Sequence, residues 1–201
     1  MTEYTGINHL AMATRNMDET IRFWRDLLGM RLILGLGRPG YRHYFFEISE
    51  NDCIAFFEWP EVEPVQEKDH GVPVKGPFVF DHVSIGVTSR EKLWEIKQIL
   101  DEAGYWTSEI IDHGFILSLY SFDPNGIAIE FSWSVKEFDP RIKPKLLDSK
   151  PSPVALEGPD PNPDKRPHIS PVPPEDQVVY PGEREQFEIR KNHWETRNEQ
   201  K

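Results

Sequence analysis

Apolar and polar residues alternate with period two in several short stretches of the chain and recur at three- and four-residue spacing in two others. "GINHLAMATRN" (6–16) and "FDHVSIGVTSR" (80–90) each read as a strand that carries one His and ends at a polar break. "MDETIRFWRDLLGM" (17–30) follows the first break with Ile21, Trp24, Leu27 and Leu28 at helical spacing, and Gly29 suits a C-cap. "EKLWEIKQILDEAGY" (91–105) repeats the device with Leu93, Ile96, Ile99 and Leu100, ending at Gly104. Strand-like segments complete each half: "RLILGL", "YRHYFFEIS" and "DCIAFFEW" in the first, "WTSEII", "GFILSLYSF" and "GIAIEFSW" in the second. The order βαβββ therefore occurs twice.

An offset of 73 residues takes His9 to His82, Asp52 to Asn125, Ile54 to Ile127 and Ala55 to Ala128, while the helix ends differ by two residues. Two such units, related by a pseudo-twofold, are expected to curve around a cleft. Following the pleat, His9 shares a face with Ala11 and Ala13, and His82 shares one with Ser84 and Gly86, opposite the bulkier Leu10, Met12, Val83, Ile85 and Val87. Glu130 has the same setting. Ile127, Ile129, Phe131 and Trp133 form the apolar face of its strand, and Glu130 lies opposite between Ala128 and Ser132. A lone strand His is most often a hydrogen-bonded core residue, and a lone inward Glu usually meets an Arg. A buried carboxylate without a partner is strongly destabilising, however. Two imidazoles at matching repeat positions with one carboxylate make a 2-His-1-carboxylate set, His9, His82 and Glu130, suited to Fe(II) or Mn(II) with open positions. The offset matches Glu130 with Phe57 and turns Glu58 to the other face, so a fourth ligand is not evident.

These residues resemble the vicinal oxygen chelate superfamily of glyoxalases, bleomycin-resistance proteins and extradiol dioxygenases, over about residues 5 to 134. The resemblance is carried by "NHLAM", "DHVSIGV" and "YSFDPNGIAIEFSW". It implies an α+β fold in which paired βαβββ modules form a half-open eight-stranded barrel around one divalent metal. Phe57 stands where glyoxalase-like members usually draw a fourth ligand, which argues against glyoxalase I. Tyr120, ten residues before Glu130 in "YSFDPNGIAIE", matches the extradiol pattern. That branch implies a ring-cleaving dioxygenase acting on a catechol-type or other oxygen-chelating small molecule with O2. Fe(II) would be held by His9, His82 and Glu130, with Mn(II), Zn(II) or Ni(II) as other candidates, and Tyr120 would hydrogen-bond a substrate oxygen. One departure is Asp52, at the place of the branch's acid–base His. His70 and His113 are the candidates for proton transfer, because imidazole is the usual base near neutral pH. A lyase, isomerase or epimerase with His43 or Glu47 as base is the alternative enzyme. A non-catalytic binding protein of the bleomycin-resistance kind is the alternative class.

Composition adds boundaries. A net charge of −11 disfavours nucleic acid and anionic membranes as partners. The single cysteine, Cys53, excludes an intramolecular disulfide, and with no basic–apolar leader or membrane-length apolar run a cytoplasmic protein is expected. Twelve of the 18 prolines follow residue 134. The expected organisation is a domain at 1–134, with modules at about 5–60 and 80–134 joined by a linker at 61–79. A Pro-rich extended tail follows at 135–201, with a short helix near its end. A homodimer or higher homo-oligomer is expected. "GLGRPG" (35–40) fits G-x-G-x-x-G but leads into a strand rather than a helix, and reads as a hairpin loop.

Overall fold

The computed structural model describes residues 7–68, 70–75, 80–137, 139–140, 142–151, 153–162, 164, 168, 170–182, 184–190 and 192–196. The expected module start at residue 5 and linker positions 69 and 76–79 lie outside them. Each half builds its own four-stranded sheet. In the first, β1 (His9–Thr14), β4 (Cys53–Glu58), β3 (Tyr41–Glu47) and β2 (Leu32–Arg38) lie side by side in that order. In the second the order is β5 (Val83–Gly86), β8 (Ala128–Ser134), β7 (Ile116–Phe122) and β6 (Ile111–Asp112). The first strand of each half runs parallel to the last, and the remaining pairs are antiparallel. These are the paired βαβββ modules expected of an open barrel. His82 sits one residue ahead of β5 instead of within it.

The helices begin where the polar breaks place them. Asn16 accepts the Glu19 amide at 3.2 Å to open α1 (Met17–Ile21), and Ser89 accepts that of Lys92 at 3.3 Å to open α2 (Arg90–Glu102). The first helix departs from the expected single α-helix, because α1 passes into a wide π-helical turn at Arg22–Leu27. Consecutive Phe23 and Trp24 are both buried there. The bulky faces of both sheets and both helices merge into one core that includes Trp24, Phe46, Phe56, Leu93, Leu119 and Phe131. The two His-bearing faces are the ones turned away from it.

Strand pairing corrects the repeat. Ala11 pairs with Ala55 and Ala55 with Phe45, whereas Ser84 pairs with Glu130 and Glu130 with Tyr120. The offset is thus 73 for the first strands and 75 for the third and fourth, as it is from Gly29 to Gly104. The two extra residues enter between β5 and the end of α2. The counterpart of Glu130 is therefore Ala55 and not Phe57, and His43 and Glu47 correspond to Ser118 and Phe122 rather than Ile116 and Tyr120. The letter matches Ile54–Ile127 and Ala55–Ala128 are coincidental.

The halves are tied at the β7–β8 turn. Buried Asp123 accepts the amides of Asn125 at 2.8 Å and Ile127 at 2.9 Å, the Asn125 side-chain amide at 2.9 Å and the Trp24 indole N–H at 3.4 Å. Gly126 has φ +74°, and a Cβ there would strike the Val65 carbonyl oxygen, so the turn admits only glycine.

Two compact units divide after Lys145. The second, Leu146–Lys201, holds short helical turns at Ala155–Glu157 and Pro174–Asp176, then α3 (Arg184–Ile189) and α4 (His193–Thr196). Val178, Val179 and Tyr180 are exposed. No described helix is long and apolar enough to cross a membrane.

Because Asp123 satisfies four donors that burial would otherwise strand, Asp123→Ala is expected to lower unfolding free energy by about 2–4 kcal/mol. The denaturant midpoint should fall with the slope unchanged.

Candidate functional site

Glu130 is 3% exposed, in the centre of the second sheet. Its Oε1 accepts the Ser118 hydroxyl, and the Tyr120 phenol at 3.2 Å. Its Oε2 lies 3.2 Å from Nε2 of His82. Burial pushes this carboxyl up, but the hydroxyls of Ser118 and Ser84, the His82 charge and the Tyr120 phenol outweigh it, and the net shift is downward. Tyr120 moves the other way, pushed up to about 12 by burial and then by the Glu130 charge, so it stays a phenol and a donor at neutral pH. His113 Nε2 is 3.1 Å from the Tyr120 hydroxyl. The ring of His70 lies flat on that of Tyr120, with centroids 3.4 Å apart and planes 4° from parallel. The structure thus brings together five of the six side chains singled out from the sequence: His82, Glu130, Tyr120, His113 and His70.

Sequence reasoning missed the groups that orient the histidines. Asp81 Oδ1 is 2.7 Å from His82 Nδ1. The Asp81 carboxyl is held well below the usual carboxylate range, first by Lys68 and then by His82, and a carboxylate only accepts. His82 Nδ1 therefore carries the hydrogen. In the first half, His9 Nδ1 is 2.8 Å from the side-chain oxygen of Asn8. The offset of 73 takes Asn8 to Asp81, so the signal was the residue before each matched His. Metal-binding imidazoles characteristically carry such a partner on the second nitrogen.

The sixth side chain, His9, stands apart on the first sheet. It shares a row with Cys53 and Glu47, and its ring centroid lies 5.3 Å from Phe45 and 6.3 Å from His43. His43 stacks on Phe57 at 3.7 Å, and Phe57 on the half-exposed Trp59 at 5.7 Å. Glu47 is paired with Arg31 at 2.9 Å. Glu58 faces the other side, as expected, pairing with Arg42 at 2.7 Å and capping the Met17 amide at 2.9 Å. Asp52 is occupied in the β3–β4 turn by the Ile7 amide and the Ser49 hydroxyl.

Two donors each about 2.1 Å from one ion at right angles lie about 3 Å apart, so the His82–Glu130 spacing suits two ligands of a divalent cation. The donor types, an imidazole with its second nitrogen anchored and a carboxylate, fit as well. Among the described residues no three His, Cys, Asp or Glu side chains converge to complete a metal site, because His9 is on the other sheet.

A model of the "Glyoxalase/Bleomycin resistance protein/Dioxygenase superfamily" matches residues 6–131. A lactoylglutathione lyase of Haemophilus influenzae is 26% identical over 129 residues, covering 62% of this chain and 90% of the relative. A glyoxylase/bleomycin resistance protein/dioxygenase domain from Frankia sp. EAN1pec superimposes with TM-score 0.56 at 18% identity, covering 68% of this chain and 96% of that one. A genomically encoded fosfomycin resistance protein from Listeria monocytogenes does so with TM-score 0.51 at 15% identity, covering 67% and 97%. At these identities the solved structures speak to the fold alone.

Ser118→Ala removes the hydroxyl that does most to hold the Glu130 carboxyl down, so its pKa is expected to rise. A carboxyl-carbon NMR titration of the metal-free protein reads this, and an unmoved or lowered value would refute the assignment.

Proposed function

The chain belongs to the Glyoxalase/Bleomycin resistance protein/Dioxygenase superfamily, and on that premise we propose that it is a metal-dependent enzyme acting on an oxygen-chelating small molecule. His9, His82 and Glu130 would hold the metal, with ring cleavage of a catechol-type substrate by O2 as the reaction. The observation that carries the reading is the convergence of His70, His113 and Tyr120 on the Glu130–His82 pair. A binding protein has no evident use for a proton-transfer set beside a buried carboxylate. The metal, Fe(II) by preference, with Mn(II), Zn(II) or Ni(II) as the other candidates, would supply Lewis-acid activation and a template for two oxygens. Tyr120, whose phenolic hydrogen goes to Glu130 Oε1 in the free protein, would turn it to a substrate oxygen beside Glu130. His113, in reach of that phenol, gives or takes the proton at Nε2. His70 holds the Tyr120 ring in plane, and Ser118 keeps Glu130 ionised.

A homodimer is part of this reading. The His9 face and the His82 face are both turned away from the shared core, and a second copy can present the one to the other. A second reaction class, a glyoxalase- or epimerase-type lyase or isomerase, is favoured by the lactoylglutathione lyase relative. β4 has Ala55 at the repeat position of Glu130 and turns its carboxylate, Glu58, to the other face, and this weighs toward the dioxygenase. A non-catalytic small-molecule-binding protein remains the contrasting class.

Metal analysis of anaerobically purified protein, followed by oxygen uptake with a catechol panel, separates these. The expected result is iron near one per chain, lost in His9→Ala, His82→Ala and Glu130→Ala, with substrate-dependent oxygen uptake. Tyr120→Phe should retain metal and lose about 10²-fold in kcat. Turnover of a hemithioacetal or epimerisable acid without oxygen would move the assignment to the lyase. Unchanged small-molecule binding in the three alanine variants, with no metal retained by any protein, would leave the binding-protein reading.

A further inference from the structure

The inter-module loop does more than connect. Lys68 Nζ lies 2.8 Å from Asp81 Oδ2, with its side chain 17% exposed. The Gly71 amide donates to both oxygens of that carboxylate, at 3.1 and 3.3 Å, and Oδ1 also holds His82 Nδ1 at 2.7 Å. Between those two anchors the loop carries His70, whose ring covers Tyr120. Upstream, the Val65 amide donates to the Asn125 carbonyl at 2.9 Å. The loop is therefore pinned to the second sheet, with Asp81 at the junction of loop and site.

We propose that Lys68 is a positioning residue for this site: it clamps Asp81, and through Asp81 it fixes His82 with Nδ1 protonated and Nε2 presented toward Glu130. The same clamp sets His70 on Tyr120, so the imidazole that would bind metal and the ring that braces the phenol are aligned by one lysine. The inference rests on the proposed metal role of His82 and Glu130 for its consequence, while the contacts themselves stand without it. Without the ammonium, Asp81 keeps the neutral Gly71 amide and His82 Nδ1 against its oxygens. It is then held less firmly, and the His82 Nδ1–H loses the charged anchor behind its acceptor. Arginine at 68 would restore the charge and a forked donor that carboxylates accept readily.

The test uses full-length metal-free Lys68→Met, with Lys68→Gln as a second variant, Lys68→Arg as rescue, and thermal melting to show that each folds. Ring-nitrogen NMR at pH 8 reads how fast the His82 Nδ1–H exchanges with water. Wild type and Lys68→Arg should hold a slowly exchanging Nδ1–H, and the Met and Gln variants one that exchanges faster. Mn(II) titration should give Kd about 10–100-fold weaker in the Met and Gln variants, recovered by Lys68→Arg. Glu130→Gln is run alongside. If it leaves Mn(II) binding unchanged, the functional reading fails and the His82 spectrum alone decides the role of Lys68. An unchanged His82 spectrum in the Met and Gln variants overturns the proposal. So does unchanged Mn(II) affinity in them where Glu130→Gln weakens it.

Discussion

A carboxylate fixed inside a sheet must be met by donors at each exposed lone pair, and Glu130 shows how much structure that requirement organises. Its partners come from the neighbouring strand β7, at Ser118 and Tyr120, and from His82 at the head of β5. Those residues reach it only in one register, since a slip of one residue would exchange the two faces of a strand. The same register sends Ile129 and Phe131 into the core with Leu119 and Ile85. Core and site are thus opposite sides of a single alignment, and neither can change without the other.

The two halves use this plan to different ends. Each presents a His whose Nδ1 is held by the side chain just before it, neutral Asn8 in one case and charged Asp81 in the other. Beyond that, the first face is lined by the His43–Phe57–Trp59 stack and the second by Ser84, Ser118, Ser132, Tyr120 and His113. The first offers a flat, largely apolar wall, and the second supplies hydroxyls and exchangeable protons. Ala11 and Ala55 hold in the first sheet the positions that Ser84 and Glu130 hold in the second.

The alternation of apolar residues carried most of the fold: the βαβββ repeat, both helix starts, and the face of Glu130 were legible because period two and period 3.6 are local properties. What a single offset could not carry was the insertion of two residues beside α2. It preserved letter matches such as Ile54 with Ile127 while shifting their true counterparts by two. The π-helical turn at Arg22–Leu27 was hidden for a related reason, since Phe23 and Trp24 are buried together by tertiary packing and not by helical spacing. At the site, His70 and His113 were legible only as residue types near neutral pH chemistry. Their placement on Tyr120 depends on loop geometry that no periodicity records. Asn8 and Asp81 were open to view, one position before each matched His, but an orienting residue has no pattern of its own.

The loop after β4 alters where the second module should be thought to start. Its described contacts at Val65, Lys68, His70 and Gly71 are made with Asn125, Asp81 and Tyr120, all in the second half. Apolar periodicity placed the boundary at residue 80, because the segment 61–79 has no alternating pattern to bury. The contacts that its described residues make with the second half include one ion pair, two hydrogen bonds from backbone amides and one ring stack, each made to a residue at or beside the Glu130 face or its supporting turn. Through His70 it covers the site's phenol. In physical terms it is the outer layer of the second module, held there by polar contacts that reading for hydrophobic pattern passes over.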